Sequence, residues 1–253
     1  MIDFDHLAYL VAVIALGQAA HVANILAGIS SGGVNLGLDE IKDQARRILT
    51  VGHGTTLYGR DGFVFECISW VAACQNIEAD EYLRDPHIKS TTQGLDGLLI
   101  KVSGGEIARA TIFEDKCSED PRRIFRDDVM PAFKKYHNRE RSSELVAGAS
   151  ELLKQAGLQP GSVPAAAQKI VRHDKRRYRA SLPVGSAISC AATRAALFKG
   201  YDELEGINQD QRLGAVFKLP DDDVRTWIAA LAAAALAHVE AQDDLEMLGH
   251  EDV

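Results

Sequence analysis

The chain has 253 residues, enough for one large domain or two small ones and for a substantial buried core. Its 46% hydrophobic and 25% charged residues are ordinary for a globular protein, and the net charge of −8 argues against a generally basic nucleic-acid coat protein. A local basic groove stays compatible with that charge, because phosphates are contacted by a patch of cations. Four cysteines without a CxxC pair or zinc-type spacing indicate reduced core thiols.

The first part of the chain has apolar residues at helical spacing. The predicted helices span residues 4–28, 38–52 and 62–83. The first is strongly apolar, but it contains Gln18, His21 and Asn24 and lacks the positively charged start of a signal peptide. We therefore predict a buried helix, no membrane span and a cytoplasmic location.

The rest of the chain mixes strand and helix patterns. The predicted strands span residues 95–102, 106–116, 177–184 and 213–219. The predicted helices span residues 118–137, 141–157, 162–172, 188–204 and 221–242, and Pro131 is expected to kink or split the first of them. This order predicts a single α/β or α+β domain with a small mixed central sheet flanked by helices.

The turn between the first two strands decides which of their charged side chains share a face of the sheet. A two-residue turn at Gly104 and Gly105 places Asp96 and Glu114 on opposite faces. A three-residue loop at 103–105 makes them diagonal neighbours on one face, with Lys116 beside them. The three-residue register also collects the apolar side chains on that face, and we predict it for this reason. These side chains are Leu98, Ile100, Val102, Ala108, Ala110 and Ile112.

Two carboxylates at diagonal positions repel each other unless a cation lies between them. Hard oxygen ligands with room for water favour Mg²⁺ or Mn²⁺, which predicts a metal site at Asp96 and Glu114. Lys116 projects to the same place and is suited to orient or deprotonate a water or to contact a phosphate oxygen. These parts indicate metal-assisted attack of water on a phosphodiester.

An acidic residue on one strand followed by D/E-x-K on its hairpin partner resembles the PD-(D/E)XK nuclease superfamily, whose fold is restriction-endonuclease-like. The matching positions are Asp96 and the run Glu114-Asp115-Lys116. The resemblance covers about residues 60–137, with a helical elaboration at 1–59 and an α/β elaboration at 138–253. It implies metal ligation by Glu66 from the preceding helix and by the carbonyl of Asp115. Leu95 replaces the family's proline before the first acid.

By the same resemblance, the chain is expected to be a Mg²⁺-dependent endonuclease that hydrolyses DNA in bacterial anti-phage defence or restriction. The resemblance also implies a helicase or ATPase subunit as partner and leaves room for a homo-oligomer. Two basic segments are candidates for contacts with the phosphate backbone. Their arginines are Arg122, Arg123 and Arg126 after the motif, and Arg176, Arg177 and Arg179 in the stretch HDKRRYR.

Two other interpretations stay open at the level of the sequence. In one, the chain is a non-catalytic subunit of a defence or DNA-processing complex that keeps the nuclease fold in order to bind nucleic acid or a partner. In the other, the charges are incidental: Asp96 ends a strand at a turn, while Glu114 and Lys116 form a surface pair. A titration with Mg²⁺ or Mn²⁺ separates the catalytic interpretation from the non-catalytic subunit.

Overall fold

The computed structural model describes residues 2–29, 39–87, 94–185, 188, 190–220 and 223–248, with side chains as far as residue 241. The chain divides into two compact units. The single domain expected from the sequence stays a prediction. The first unit comprises Met1–Gln75, Asp85–Thr92 and Arg225–Val253, and the second comprises Asn76–Arg84 and Gln93–Val224. The predicted core at 60–137 corresponds to neither unit, because its first helix belongs to one unit and its strands to the other.

The described part of the first unit is helical. Its helices are α1 (Phe4–Ala15), α2 (Ala19–Leu26), α3 (Asp39–Leu49), α4 (Leu57–Cys74) and α10 (Val224–Leu248, of which Val224 belongs to the second unit). The prediction of one continuous helix over 4–28 is wrong, because the chain turns at Gly17 between α1 and α2. Gly17 has a φ of 78°, a left-handed conformation that a side chain disfavours.

Helix α10 is rich in alanine, and residues Val224–Ala241 pass a test of length and composition for a membrane span. The buried residues of α10 nevertheless recur every three or four positions, as Ile228, Leu231, Ala235 and Val239 do. Such a stripe is typical of a helix packed along one side in a bundle. The cytoplasmic location stays a prediction.

The second unit contains one five-stranded mixed sheet, as the sequence predicted. Its strands are β1 (Glu81–Leu83), β2 (Gly97–Ser103), β3 (Glu106–Asp115), β4 (Arg176–Val184) and β5 (Arg212–Lys218), adjacent in that order. Strand β2 is antiparallel to both β1 and β3, whereas β3, β4 and β5 run parallel to one another. The short strand β1 corrects the sequence analysis, which assigned its residues to the end of a helix.

The helices of the second unit pack against one face of this sheet. They are α5 (Pro121–Ile124), α6 (Met130–His137), α7 (Ser142–Gln155), α8 (Val163–Gln168) and α9 (Ala191–Leu197). The predicted helix at 118–137 is divided, since a π-helical turn at Phe125–Val129 separates α5 from α6 just before Pro131. Proline has no N–H to donate, which explains a change of hydrogen bonding at this place.

Alternate residues of β2, β3 and β4 supply the sheet side of this core. Leu98, Ile112, Ala180 and Leu182 are fully buried there, against α6, α7 and α8 among others. Glu114 lies on the same face of β3, two residues beyond Ile112. The core face of the sheet therefore ends in an acid at the carboxyl end of β3.

Candidate active site at the open end of the hairpin

The turn of the β2–β3 hairpin differs from the prediction. Ser103 pairs with Glu106 across a two-residue turn, in which Gly104 and Gly105 have φ values of 60° and 76°. Positive φ at both central positions is the type I′ geometry that suits the twist of a hairpin. The prediction of a three-residue loop is therefore wrong.

A β-bulge between Lys101 and Val102 nevertheless puts Asp96 and Glu114 on one face of the sheet, which the prediction attributed to a three-residue loop. Beyond the bulge Leu98 pairs with Ile112 and Gly97 with Phe113, so one further step places Asp96 directly opposite Glu114. A bulge shifts the register by one residue and so exchanges the two faces of the strand beyond it. Asp96 and Glu114 thus share a face as opposed neighbours, where the prediction made them diagonal.

The structure brings Asp96, Glu114 and Lys116 together. The Lys116 ammonium Nζ donates to Asp96 Oδ2 at 2.5 Å and lies 3.1 Å from Glu114 Oε2. Asp96 Oδ2 also accepts the main-chain N–H of Asp115 at 2.9 Å, which fixes the carboxylate across the strands. One ammonium therefore bridges the two acids.

The three side chains differ in their contact with solvent. Glu114 is 2% exposed, whereas the side chains of Asp96 and Lys116 are 14% and 30% exposed. Burial, and then the negative charge of Asp96, raise the pKa of Glu114 to about 8, against the opposing effect of Lys116. Burial by itself lowers the pKa of Lys116, but the two acids outweigh it and hold that pKa above its usual range. At neutral pH the cluster therefore keeps its lysine charged and a proton on Glu114.

Small residues and aromatic rings follow Glu114 in its row across the sheet. Glu114 pairs with Ala180 on β4, and Ala180 pairs with Gly214 on β5, so two small residues continue its row across the sheet. A Cβ on Gly214 would lie 2.5 Å from a ring atom of Phe198. Tyr201 lies beside Phe198, with ring centroids 6.2 Å apart. The small residues thus leave space for the rings.

The donor set fits a hard divalent cation. The carboxylates of Asp96 and Glu114 converge on the Lys116 ammonium, so their negative charges are directed at a place that a cation can occupy. The side chain of Asp115 alternates to the opposite face of β3, so only its main-chain carbonyl could act as a ligand at the site. Among the described residues no group of three or more His, Cys, Asp or Glu side chains is arranged to hold a metal. Asp96 and Glu114 would hold Mg²⁺ or Mn²⁺, with water completing the shell.

Glu66 lies in the middle of α4, in the helical unit, and is half-buried. The sequence analysis linked it to the metal site through the family resemblance. Its participation stays a prediction.

The arginines that follow Lys116 are differently disposed. Arg122 donates from Nη1 to the carbonyls of Leu197 and Lys199, at 3.0 and 2.6 Å, and so binds the end of α9. Arg123 and Arg126 have side chains that are 62% exposed. Each forms an ion pair with a neighbouring acid, Asp120 or Asp127. Two of the three predicted phosphate contacts thus face solvent, whereas the third has a structural role.

The three arginines of β4 do not join the site. Arg176 is fully buried in the core, which leaves it no surface to offer to a phosphate. Arg177 and Arg179 pair with Thr111 and Phe113, and they project from the face of the sheet opposite to Glu114. The guanidinium of Arg179 stacks on the Phe113 ring at 4.5 Å.

The aromatic residues packed at β4 and β5 beside the row of Glu114 were not predicted from the sequence. Phe198 and Tyr201 lie about 85 residues after Glu114 in the chain, at the end of a helical pattern that resembles any other core helix. The one local signal is Gly200, whose φ of 107° begins the turn that carries Tyr201.

No protein-family model, curated protein sequence or solved structure matches this chain. A function for the chain must therefore be argued from the geometry and chemistry of the cluster of Asp96, Glu114 and Lys116.

Proposed function

We propose that the protein is a metal-dependent endonuclease that hydrolyses DNA phosphodiester bonds, as the resemblance to the PD-(D/E)XK superfamily implies. The observation that supports this most is the convergence of Asp96, Glu114 and Lys116 at the open end of one hairpin. Two acids and an amine around one place are the groups that metal-assisted hydrolysis of a phosphodiester needs.

Each residue has a role in this proposal. Asp96 and Glu114 hold Mg²⁺ or Mn²⁺, and the main chain of Asp115 contributes a carbonyl. The ion, when bound, supplies an activated water and a positive charge against the phosphate. Lys116 orients the attacking water or contacts a phosphate oxygen, and Asp96 holds that ammonium in place at 2.5 Å.

The cellular setting is also a proposal, drawn from the resemblance alone. We expect a cytoplasmic enzyme of anti-phage defence or restriction, which acts with a helicase or ATPase subunit and forms a homo-oligomer where both strands of DNA are cut. Arg123 and Arg126 are the exposed cations best placed in the chain to contact DNA, since they follow Lys116 closely.

The test is cleavage of plasmid DNA with Mg²⁺ by the wild type and by Asp96→Asn, Glu114→Gln and Lys116→Ala. We expect each variant to lose about 10³-fold or more in rate, since each removes a group that stabilises the transition state. Glu106→Gln is the matched control, because it makes the same change at the exposed, far end of β3. Equal cleavage by all five proteins would refute the proposal.

A non-catalytic binding subunit is the second candidate function. It is favoured by the small number of acids, since no described group of three or more potential ligand side chains is arranged around a metal. It predicts that the protein binds DNA or a partner but takes up no Mn²⁺ at millimolar concentration, as measured by electron paramagnetic resonance. Saturable binding of Mn²⁺ that Glu114→Gln abolishes would exclude it.

A further inference from the structure

The hydroxyl of Tyr201 lies between β4 and β5. It accepts the main-chain N–H of Ala180 at 3.0 Å, and it lies 3.1 Å from the carbonyl oxygen of Tyr178 and 2.8 Å from that of Leu213. A phenol has one proton, so it donates to one of these carbonyls at a time while accepting from Ala180. One side-chain oxygen therefore connects the two parallel strands.

The strand position that Tyr201 holds is the one that supports the acidic site. Ala180 is the β4 partner of Glu114, and Ser181 is the partner of Asp115. The N–H of Lys116 donates to the carbonyl of Ser181 at 3.1 Å. The main chain of the Glu114-Asp115-Lys116 run thus pairs with β4 at the residue that Tyr201 binds and donates a hydrogen bond to the next.

Tyr201 is itself held firmly. Its side chain is almost fully buried, and its ring packs edge-on against Phe125 at 5.1 Å and stacks near Phe133 at 5.9 Å. Burial is the main cause that raises its pKa, against the hydrogen bond from Ala180 and the charge of Arg179, which lower it. The hydroxyl therefore stays protonated and in place.

From these contacts we propose that Tyr201 is a positioning residue for the cluster of Asp96, Glu114 and Lys116. Its hydroxyl fixes β4 at Ala180 and thereby sets the main-chain position of Glu114 and Lys116. The part of this inference that concerns metal binding rests on the proposed function, whereas the part that concerns the strand does not.

The test compares Tyr201→Phe with Tyr178→Phe. Each substitution removes one buried phenol oxygen and keeps the ring, and the hydroxyl of Tyr178 lies 3.3 Å from His137 Nδ1. We expect Tyr201→Phe alone to speed amide hydrogen exchange at Ala180 and Lys116 by about tenfold. It should also weaken Mn²⁺ binding by about tenfold, as loss of a group that supports a metal ligand does.

The outcomes separate the two proposals. Unchanged exchange at Lys116 in Tyr201→Phe, or the same change in Tyr178→Phe, would overturn the positioning role whether or not a metal binds. Unchanged Mn²⁺ affinity in Tyr201→Phe, with a wild type that binds the ion, would overturn it too. A wild type that binds no Mn²⁺ would refute the proposed function, and the exchange rates would then decide about Tyr201.

Discussion

Two charged side chains, Arg176 on β4 and Glu114 on β3, are buried on the same face of the sheet. Arg176 pairs with Ala110, and Glu114 pairs with Ala180. Arg176 donates from Nε and Nη1 to the carbonyls of Ile170 and Tyr136, each at 2.7 Å, and these carbonyls lie near the ends of helical segments. Glu114 instead faces another acid and shares one ammonium with it.

The groups that contact each buried charge distinguish a structural charge from one available to a ligand. Neutral carbonyls accept from two of the three guanidinium nitrogens of Arg176, so the fold stabilises most of its charge without any ligand. At Glu114, two acids compete for one lysine, and the surplus negative charge is relieved by a proton or, in the proposed function, by a metal ion. A buried charge that the fold satisfies holds the fold together, whereas one that it leaves in excess is available to a ligand.

The largest change in stability is expected on substitution of Arg176. Arg176→Met should lower the free energy of unfolding by about 3 kcal/mol, because two buried carbonyls lose a charged donor. Arg177→Met is the matched control, since its neighbouring, half-buried side chain leaves the opposite face of the sheet; its effect should stay within about 0.5 kcal/mol. Urea denaturation measures both, and equal midpoints would show that Arg176 is not the structural charge.

At the site the expected effect on stability has the opposite sign. The pKa of Glu114 is about 8 in the folded chain and ordinarily 4.5, so folding strengthens its hold on the proton. Its contribution to stability is complete below pH 4.5 and is lost as the pH rises to about 8. Glu114→Gln should therefore stabilise the protein by about 2 kcal/mol near pH 9 while abolishing cleavage.

Urea denaturation at about pH 5 and about pH 9 measures this effect, with Glu106→Gln as the control on the same strand. The control should keep the wild-type loss of stability between these values, because Glu106 is exposed and pairs with Lys169. Parallel behaviour of Glu114→Gln and the wild type would mean that Glu114 carries no surplus charge.

The sequence predicts the site better than it predicts the structural charge, and the reason is distance along the chain. Asp96, Glu114 and Lys116 belong to one hairpin, so strand alternation and a tight turn bring them together. The carbonyl of Tyr136 that binds Arg176 is 40 residues away. In HDKRRYR a buried and a half-exposed arginine look alike, because only tertiary packing decides which face of β4 enters the core.

The bulge and the helix break were unpredictable for a different reason. Ile107 and Ala108 are both apolar, so the pattern of hydrophobic residues does not say which one points inward, and the bulge places Ile107 in the core. Gly17 lies within an apolar run in which helical spacing continues on both sides. Local patterns do not resolve a shift of one residue where neighbours are equally apolar.

A smaller change in stability, which depends on pH, is expected at His173 near Arg176. The rings of His137 and His173 pack edge-on with centroids 4.3 Å apart, and burial, followed by nearby positive charges that include Arg176, lowers the pKa of His173. Its neutral form is the one that folding favours, so stability is complete above pH 6.5 and is lost as the pH falls. His173→Gln should reduce that loss, by less than the Glu114 effect.

Because Glu114 titrates in the opposite sense over this range, the histidine effect is measured in the Glu114→Gln background, by urea denaturation at about pH 7.5 and about pH 5.5. His53→Gln, in an exposed loop of the helical unit, is the control. An equal loss of stability on acidification in both histidine variants would show that folding does not lower the pKa of His173.

The smallest effect is expected for two exposed arginines, Arg126 in the segment after the site and Arg172 in the segment before Arg176. Asp127→Asn frees Arg126, in the segment that follows the site, and Asp174→Asn frees Arg172, in the turn before Arg176. The background is Asp96→Asn, which the proposed function expects to cleave no DNA. In it, Asp127→Asn should raise the affinity for DNA about twofold and steepen its dependence on salt, because one more cation is free to meet a phosphate. Asp174→Asn should leave both unchanged, as fluorescence anisotropy can measure. Equal gains would mean that free charge alone, and not its place near the acidic cluster, sets the affinity for DNA.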